Sequence, residues 1–207
     1  MTESRETQPA SATGLENPEL EVLVVGGGQA GLAMGYFLAR QGRTFAILEA
    51  AKQPGAAWRT RWDSLKLFTP ARYSGLPGLP FPGDLDSYPG RDDVVDYLTE
   101  YARHFALPVV SDSRVGAIRR AESRYIVELD DRSYTADQVV VATGPFQVPF
   151  VPPNADQLGE DVFQLHSTRY RAPGDLPGGP VLVVEDRRVN PRMIVAETGC
   201  PDHSAHV

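Results

Sequence analysis

The chain has 207 residues, 42% of them hydrophobic, and a formal net charge of −7 at pH 7. This length predicts one domain, or one domain and part of a second, with enough apolar residues for a buried core. The acidic balance argues against a nucleic-acid partner, because phosphate backbones are bound by basic surfaces. Cys200 is the single cysteine, which excludes an internal disulfide or a CxxC redox pair and favours a reducing cytoplasm.

The amino-terminal 18 residues are polar and lack the apolar core of a secretion signal. We interpret residues 1–18 as a disordered leader. No apolar run in the sequence reaches the roughly 18 residues that a membrane-spanning helix needs. The sequence therefore predicts no membrane partner.

The next elements predict a strand–helix–strand unit. Leu20–Val25 is short, rich in valine and followed by three glycines, which is typical of a buried parallel strand. Residues 29–41 have the apolar spacing of a helix, and Gly42 is placed to end it. Residues 44–48 predict a second strand that ends at Glu49. This order and length are those of one βαβ unit.

The turn between the first strand and the helix matches the pattern G-x-G-x-x-G. Gly26 suits a tight turn, Gly28 lets the backbone approach a pyrophosphate, and Gly31 lets the helix lie close to the strand. Gln29 and Ala30 begin the helix, whose amino-terminal N–H groups and partial positive charge favour phosphate binding. The pattern therefore predicts a dinucleotide site at this turn.

Glu49, at the end of the second strand, is the expected acidic partner of this turn. A carboxylate at that position accepts the ribose hydroxyls of a dinucleotide and repels a 2′-phosphate. FAD or NAD is therefore favoured over NADP at this site. The alternative is a glycine-rich turn with a solvent-exposed Glu49.

The middle of the chain alternates between irregular and periodic segments. Residues 53–90 are rich in Pro and Gly and predict a long loop, which in a compact domain is often functional. Residues 92–105 predict a helix. Residues 114–119 and 125–129 predict an antiparallel strand pair, and residues 138–142 a buried strand that returns to the sheet.

The carboxy-terminal quarter is harder to interpret. Residues 150–153 form a proline-rich connector, and residues 162–170 have no clear assignment. Residues 180–184 predict a last apolar strand. Asn190-Pro191 is a helix-start signal and predicts a short helix over residues 192–197.

Several stretches resemble motifs of the flavin-containing monooxygenase superfamily, in particular its bacterial single-component flavoproteins, often described as linked to potassium transport. Residues 55–59 are similar to the family's G-x-x-W-R segment, residues 62–70 to the block that follows, and residues 88–98 to its next helix entry. Residues 142–144 match its A-T-G turn. Residues 163–167, Phe-Gln-Leu-His-Ser, resemble the F-x-x-x-H-S core of the monooxygenase fingerprint, with one residue fewer before His166 and with Gln164 in place of the usual glycine. The resemblance extends from about residue 20 to residue 184.

The resemblance implies FAD as the cofactor and adds candidate contacts to those of the glycine turn. They are Trp58 and Arg59 near the flavin, Val115 with its backbone at the adenine, and Ala142, Thr143 and Gly144 where the chain passes the cofactor. Each also has a structural interpretation: a core tryptophan, a solvated arginine, or an ordinary strand or strand end. For His166 in the fingerprint, a structural or hydrogen-bonding role is favoured over acid–base catalysis.

The resemblance also implies a mechanism. NADPH reduces FAD by hydride transfer, and dioxygen then forms a C4a-peroxyflavin that oxygenates a small organic substrate. The flavin provides the reactive chemistry, whereas the protein provides orientation and water exclusion. No catalytic side chain is therefore assigned, and no metal-ligand cluster occurs in the sequence.

The expected NADPH site departs strongly from the family pattern. The strand at residues 180–184 precedes Glu185-Asp186-Arg187-Arg188-Val189-Asn190 instead of a second G-x-G-x-x-G. Side chains then occupy positions where backbone meets phosphate, and two carboxylates lie beside it. We expect a frame-shifted or truncated product in this region. A partial domain that exposes residues 181–184 also predicts self-association.

The predicted fold is α/β. A Rossmann-like, three-layer FAD-binding domain over residues 19–150 contains a small antiparallel strand insert. Residues 151–207 are the truncated start of a second, NADPH-binding domain. Three functions stay open: an FAD-dependent, monooxygenase-like oxidoreductase; a non-catalytic FAD-binding or interaction fragment; and a protein that binds only NAD. The A-T-G turn and the fingerprint block disfavour the third.

Overall fold

The structure, a computed structural model, describes residues 19–145, 148–153 and 155–184, and the backbone of residues 185 and 192–197. The predicted leader, residues 1–18, lies outside the described residues. The elements in chain order are β1 (Leu20–Val25), α1 (Gln29–Arg40), β2 (Phe45–Leu48), α2 (Ala56–Arg59), α3 (Arg91–His104), β3 (Val109–Val110), β4 (Val115–Ala121), β5 (Arg124–Leu129), β6 (Ser133–Val141), β7 (Val162–His166), β8 (Val181–Glu185) and β9 (Arg192–Glu197).

The main sheet has six strands in the order β3-β2-β1-β6-β5-β4. β3, β2, β1 and the second half of β6 are parallel, whereas β4, β5 and the first half of β6 are antiparallel. Because successive side chains of a strand point to opposite faces, Val24 and Ile47 face one side of the sheet and Leu23 and Leu48 the other. Both sets are buried.

The two faces of this sheet are covered differently. α1 and α3 cover the face of Val24 and Ile47, where Leu98 and Tyr101 join the core cluster. On the other face, Val127 of β5 and two residues of β6 pack with the cluster that contains Leu23 and Leu48. The chain therefore forms one mixed sheet of parallel and antiparallel strands with helices packed on it, which confirms the predicted α/β, Rossmann-like fold.

The return strand β6 begins earlier than predicted, at residue 133 instead of 138. Its first residues alternate polar and apolar, and they pair with β5: Tyr134 lies opposite Val127 and Thr135 opposite Ile126. The apolar run that follows pairs with β1. The predicted insert is therefore continuous with the main sheet. The sequence does not predict β3, because two residues are too few for a periodic signal.

The predicted helix at residues 192–197 is wrong. These residues form β9, the central strand of a three-stranded antiparallel sheet in the order β7-β9-β8. Pairing with a strand on each side outweighs the helix-start signal of Asn190-Pro191, since local propensity is weaker than tertiary pairing. The unassigned segment at residues 162–170 begins with β7, and the predicted strand at residues 180–184 is confirmed as β8.

Two tyrosines of α3 hold the long loop of residues 53–90 onto the helix. The Tyr97 hydroxyl donates to the Leu79 carbonyl oxygen at 2.7 Å and accepts from the Leu76 amide at 2.6 Å. The Tyr101 hydroxyl donates to the Pro77 carbonyl oxygen at 2.6 Å. Burial raises the pKa of Tyr101 to about 12 and also raises the pKa of Tyr97. Both phenols are therefore neutral and hydrogen-bonded at pH 7.

We predict that Tyr97→Phe lowers the free energy of unfolding by about 1–3 kcal/mol, because the Leu76 amide and the Leu79 carbonyl lose their partner in a partly buried site. Chemical denaturation monitored by circular dichroism measures the change. Tyr73→Phe is the control: Tyr73 is 74% exposed, and its hydroxyl makes no hydrogen bond to the described residues. Equal stability of the two variants would contradict this role for Tyr97.

Candidate functional site

The candidate site lies where the carboxyl ends of β1, β2 and β6 meet. The Gly26 amide donates to the Leu48 carbonyl oxygen at 2.8 Å, and the Ala142 amide donates to the Val25 carbonyl oxygen at 2.8 Å. These bonds bring the glycine turn, Glu49 and residues 142–144 to one edge of the sheet. In open α/β sheets, ligands bind at this edge, outside the carboxyl ends of the strands.

Packing within the chain explains two glycines of the turn. Gly26 has φ +110°, and a Cβ atom there would lie 2.5 Å from the Ala142 carbonyl oxygen. A Cβ atom on Gly31 would overlap the carbonyl oxygen of Gly26. The turn therefore fits between α1 and the A-T-G segment only with hydrogen atoms at these positions.

Packing does not explain Gly28. Its backbone is extended, with φ −81° and ψ −174°, a conformation open to any residue. A Cβ atom there would have no heavy atom of the described residues within 4 Å. The space in front of Gly28 is open, and it adjoins the amino terminus of α1, whose first turn has no acidic residue. This open cradle beside a helix amino terminus fits a diphosphate.

Glu49 is held at the turn by backbone amides. Its Oε2 accepts from the Gly27 amide at 2.7 Å, and its Oε1 accepts from the Ala51 amide at 2.9 Å. A carboxylate has about four acceptor sites, so each oxygen keeps capacity for a ribose hydroxyl. Glu49 does not point into bulk water, because the residue is only partly exposed and both of its oxygens are bonded; its contact with a ribose stays a prediction.

Gly27 is a site residue that the sequence pattern does not identify. The pattern treats it as a variable position, yet its amide binds Glu49, and a Cβ atom on it would lie 2.9 Å from Glu49 Oε2. The available signal was the run of three glycines at residues 26–28. The Gly27 carbonyl oxygen also has a partner, since it accepts from the Gly55 amide at 3.1 Å.

The segment after Gly55 brings Trp58 to the start of α1. Trp58 Nε1 donates to Gln29 Oε1 at 3.1 Å, while the indole packs against the main core cluster. The neighbouring Arg59 points elsewhere: with the Gln53 amide oxygen facing it, its guanidinium donates from Nε at 2.7 Å and Nη2 at 2.8 Å. Trp58 thus lies at the turn, whereas the flavin contact of Arg59 stays a prediction.

The other predicted contacts lie around the same edge. Val115 begins β4 and packs against the cluster that contains Leu48. Thr143 and Gly144 are exposed; Gly144 has φ +77°, and a Cβ atom on it would have no described atom within 4 Å. Exposure at the crevice is compatible with a ligand contact. For Val115, Thr143 and Gly144 that contact stays a prediction.

His166 closes β7 and is buried. Its Nδ1 accepts from the Thr168 amide at 3.2 Å, which places the proton of the neutral ring on Nε2. Nε2 is buried without a hydrogen-bond partner among the described residues, and burial lowers the pKa of the ring. His166 therefore holds the turn after β7 through Thr168, and its structural rather than acid–base role stays a prediction.

The described part of the chain contains neither a metal site nor a membrane span. No group of three or more His, Cys, Asp or Glu side chains there could hold a metal ion. None of its helices combines the length and apolar character that crossing a membrane requires.

The fold and this turn define a dinucleotide-binding α/β domain. Residues 23–185 match the sequence model of the family described as pyridine nucleotide-disulphide oxidoreductase. A CzcO-like oxidoreductase of Geobacillus kaustophilus is 45% identical over 165 residues, which cover 80% of this chain and 47% of that protein. The probable indole-3-pyruvate monooxygenase YUCCA7 of Arabidopsis thaliana is 35% identical over 179 residues, covering 78% of this chain and 40% of the plant protein.

A solved structure leads to the same family. A double mutant of the flavin monooxygenase from Stenotrophomonas maltophilia is 39% identical, with a TM-score of 0.73 over 77% of this chain and 49% of that one. The chain belongs to the pyridine nucleotide-disulphide oxidoreductase family and to the flavin-containing monooxygenase superfamily, and it corresponds to the amino-terminal portion of such proteins. It spans about half the length of these relatives.

We predict that Gly28→Ala impairs FAD binding and that Gly31→Ala impairs folding. Gly28→Ala leaves the ligand-free melting temperature within about 2 °C of wild type, since its Cβ meets open space, but weakens FAD binding about tenfold or more. Gly31→Ala lowers the melting temperature itself, because its Cβ overlaps the Gly26 carbonyl. Thermal unfolding and FAD titration measure both effects; unchanged FAD affinity of Gly28→Ala would contradict the cradle.

Proposed function

We propose that this chain binds FAD in the crevice between the glycine turn and Glu49, as the FAD-binding part of an NADPH-dependent, monooxygenase-like oxidoreductase. The observation that supports this most directly is the open space in front of Gly28, which no packing requirement of the described residues explains. The similarity to flavin monooxygenases points to FAD as the dinucleotide that fills it.

The proposed roles of the residues follow from their chemistry. The amide of Gly28 and those of Gln29 and Ala30 at the start of α1 donate to the diphosphate, with the positive end of the helix behind them. Glu49, held by the Gly27 and Ala51 amides, accepts the hydroxyls of the adenosine ribose.

The remaining proposed contacts surround the dinucleotide. The backbone of Val115 meets the adenine, Trp58 and Arg59 lie towards the flavin, and the A-T-G turn at residues 142–144 closes the crevice from the β6 side. Gly26 packs directly on Ala142, so the glycine turn and the A-T-G turn are in contact.

When bound, FAD supplies hydride acceptance from NADPH and the reaction with dioxygen that oxygenates a small organic substrate. The protein's share is to orient the cofactor and to exclude water from it. The NADPH contacts would follow β8, where the glycine pattern is replaced by residues 185–190. Residues 186–190 lie outside the described residues. A reducing cytoplasm is the proposed location.

A second candidate function is a non-catalytic FAD-binding or interaction fragment. The charged residues 185–190, in place of glycines, favour it, because side chains there obstruct a second diphosphate. The two candidates share the FAD site and differ only in turnover.

The test uses the full chain purified without added cofactor. FAD titration followed by flavin fluorescence is expected to show saturable binding. Oxygen uptake on addition of NADPH would then show that the FAD-bound chain is catalytically active. FAD binding with no NADPH oxidation would select the non-catalytic fragment. Failure to bind FAD, together with tight binding of NAD, would overturn the proposed function.

We also propose that the small sheet mediates self-association. Val181, Leu182 and Val183 of β8 are 37%, 64% and 52% exposed, so apolar side chains are open on both faces of the strand. β8 pairs only with β9 among the described strands, and an unpaired edge is a template for another strand. The register places Phe163, 39% exposed, in line with Val181 across β9, which extends the apolar surface.

We predict that the mass from light scattering rises above the 22.6 kDa of one chain as concentration increases. Val183→Asp is expected to restore the monomer mass, because a carboxylate opposes burial of the strand. Leu85→Asp, at an equally exposed apolar position in the long loop, is the control and leaves the association intact. A wild-type protein that stays monomeric at all concentrations would exclude this proposal.

A further inference from the structure

The hydrogen bond between Trp58 and Gln29 fixes the orientation of the Gln29 amide. Trp58 Nε1 donates to Gln29 Oε1 at 3.1 Å. An indole N–H only donates, so the end of the amide that faces Trp58 is its oxygen. The NH₂ group is therefore the end left for other partners, and it makes no hydrogen bond to the described residues.

Trp58 is held independently of Gln29. Its indole packs against the main core cluster, and Gly55, three residues earlier, is tied to the glycine turn by the bond from its amide to the Gly27 carbonyl oxygen. Gln29, in contrast, is exposed at the first position of α1. Trp58 thus orients the Gln29 side chain, whereas the position of Trp58 depends little on Gln29.

Gln29 lies beside the proposed diphosphate site, so the orientation of its amide affects phosphate binding. Gln29 directly follows Gly28, whose Cα faces the open space of the cradle. An amide turned the other way would leave its carbonyl oxygen as the free end, and that oxygen would repel a phosphate. The amide held by Trp58 has its two N–H donors available, and hydrogen bonds from such donors to a charged oxygen are stronger than those between neutral groups.

We infer that Trp58 is a positioning residue that orients Gln29 so that the Gln29 NH₂ group donates to the diphosphate of FAD. This inference rests on the proposed FAD site and adds a side-chain donor to its backbone amides. It assigns Trp58 an action on the diphosphate through Gln29, in addition to its proposed position towards the flavin.

The experiment compares two ligands that share the adenosine diphosphate group, FAD and ADP-ribose, by isothermal titration calorimetry on the full chain. Trp58→Phe keeps an aromatic ring and removes the indole N–H. Gln29→Glu keeps an acceptor for the indole and removes both donors. We expect the Kd of both ligands to rise, about threefold to tenfold for Trp58→Phe and at least about tenfold for Gln29→Glu.

A double-mutant cycle tests the dependence of one residue on the other. Because Trp58 acts through Gln29, the Gln29→Ala/Trp58→Phe pair is expected to bind within about twofold of Gln29→Ala alone. Trp62→Phe is the matched control, since the Trp62 indole lies in the same loop and makes no hydrogen bond to the described residues. Its Kd values stay at those of wild type.

The outcomes separate the inference from the proposed function. A Trp58→Phe variant that loses affinity for FAD but not for ADP-ribose shows action on the flavin portion and overturns the inference. Losses that add in the double mutant overturn it as well. A wild-type chain that binds neither ligand overturns the proposed function itself. Thermal unfolding of each ligand-free variant confirms that the compared proteins are folded.

Discussion

The bond between the Glu49 carboxylate and the Gly27 amide is the constraint on which the site depends. It joins the end of β2 to the turn after β1 at 2.7 Å. Because Glu49 also accepts the Ala51 amide, the carboxylate is fixed before any ligand arrives. A pre-oriented acceptor and an open cradle at Gly28 lower the ordering cost of binding a dinucleotide. The parallel sheet beneath supplies the rigid edge on which both are placed.

The long loop of residues 53–90 belongs to this site as much as to the fold. Tyr97 and Tyr101 fasten its far part to α3, and Gly55 and Trp58 fasten its start to the glycine turn. Apart from the short helix α2, this loop has an irregular backbone, and these contacts anchor it at both places. These contacts explain how a segment rich in Pro and Gly can position side chains beside the proposed cofactor site.

The carboxy-terminal sheet has a different character. β7, β9 and β8 pair antiparallel, and exposed apolar side chains remain on β8. The relatives that match this chain are about twice as long. Their activities therefore belong to proteins that contain further residues beyond the matched part. The residues of the proposed FAD crevice all precede this small sheet in the chain.

The sequence by itself determined the βαβ unit, the glycine turn, the acidic partner Glu49 and the α/β class. The first and last depend on local periodicity, and the turn and Glu49 depend on the spacing of glycines and of one acidic residue along the chain. Only the tertiary structure decided the rest. Residues 192–197 became a strand because two neighbouring strands offer hydrogen bonds that a helix-start signal cannot match. Gly27 and the Trp58–Gln29 bond became part of the site through contacts between segments that are distant in sequence. Such contacts leave no periodic trace in the chain, so no local pattern predicts them.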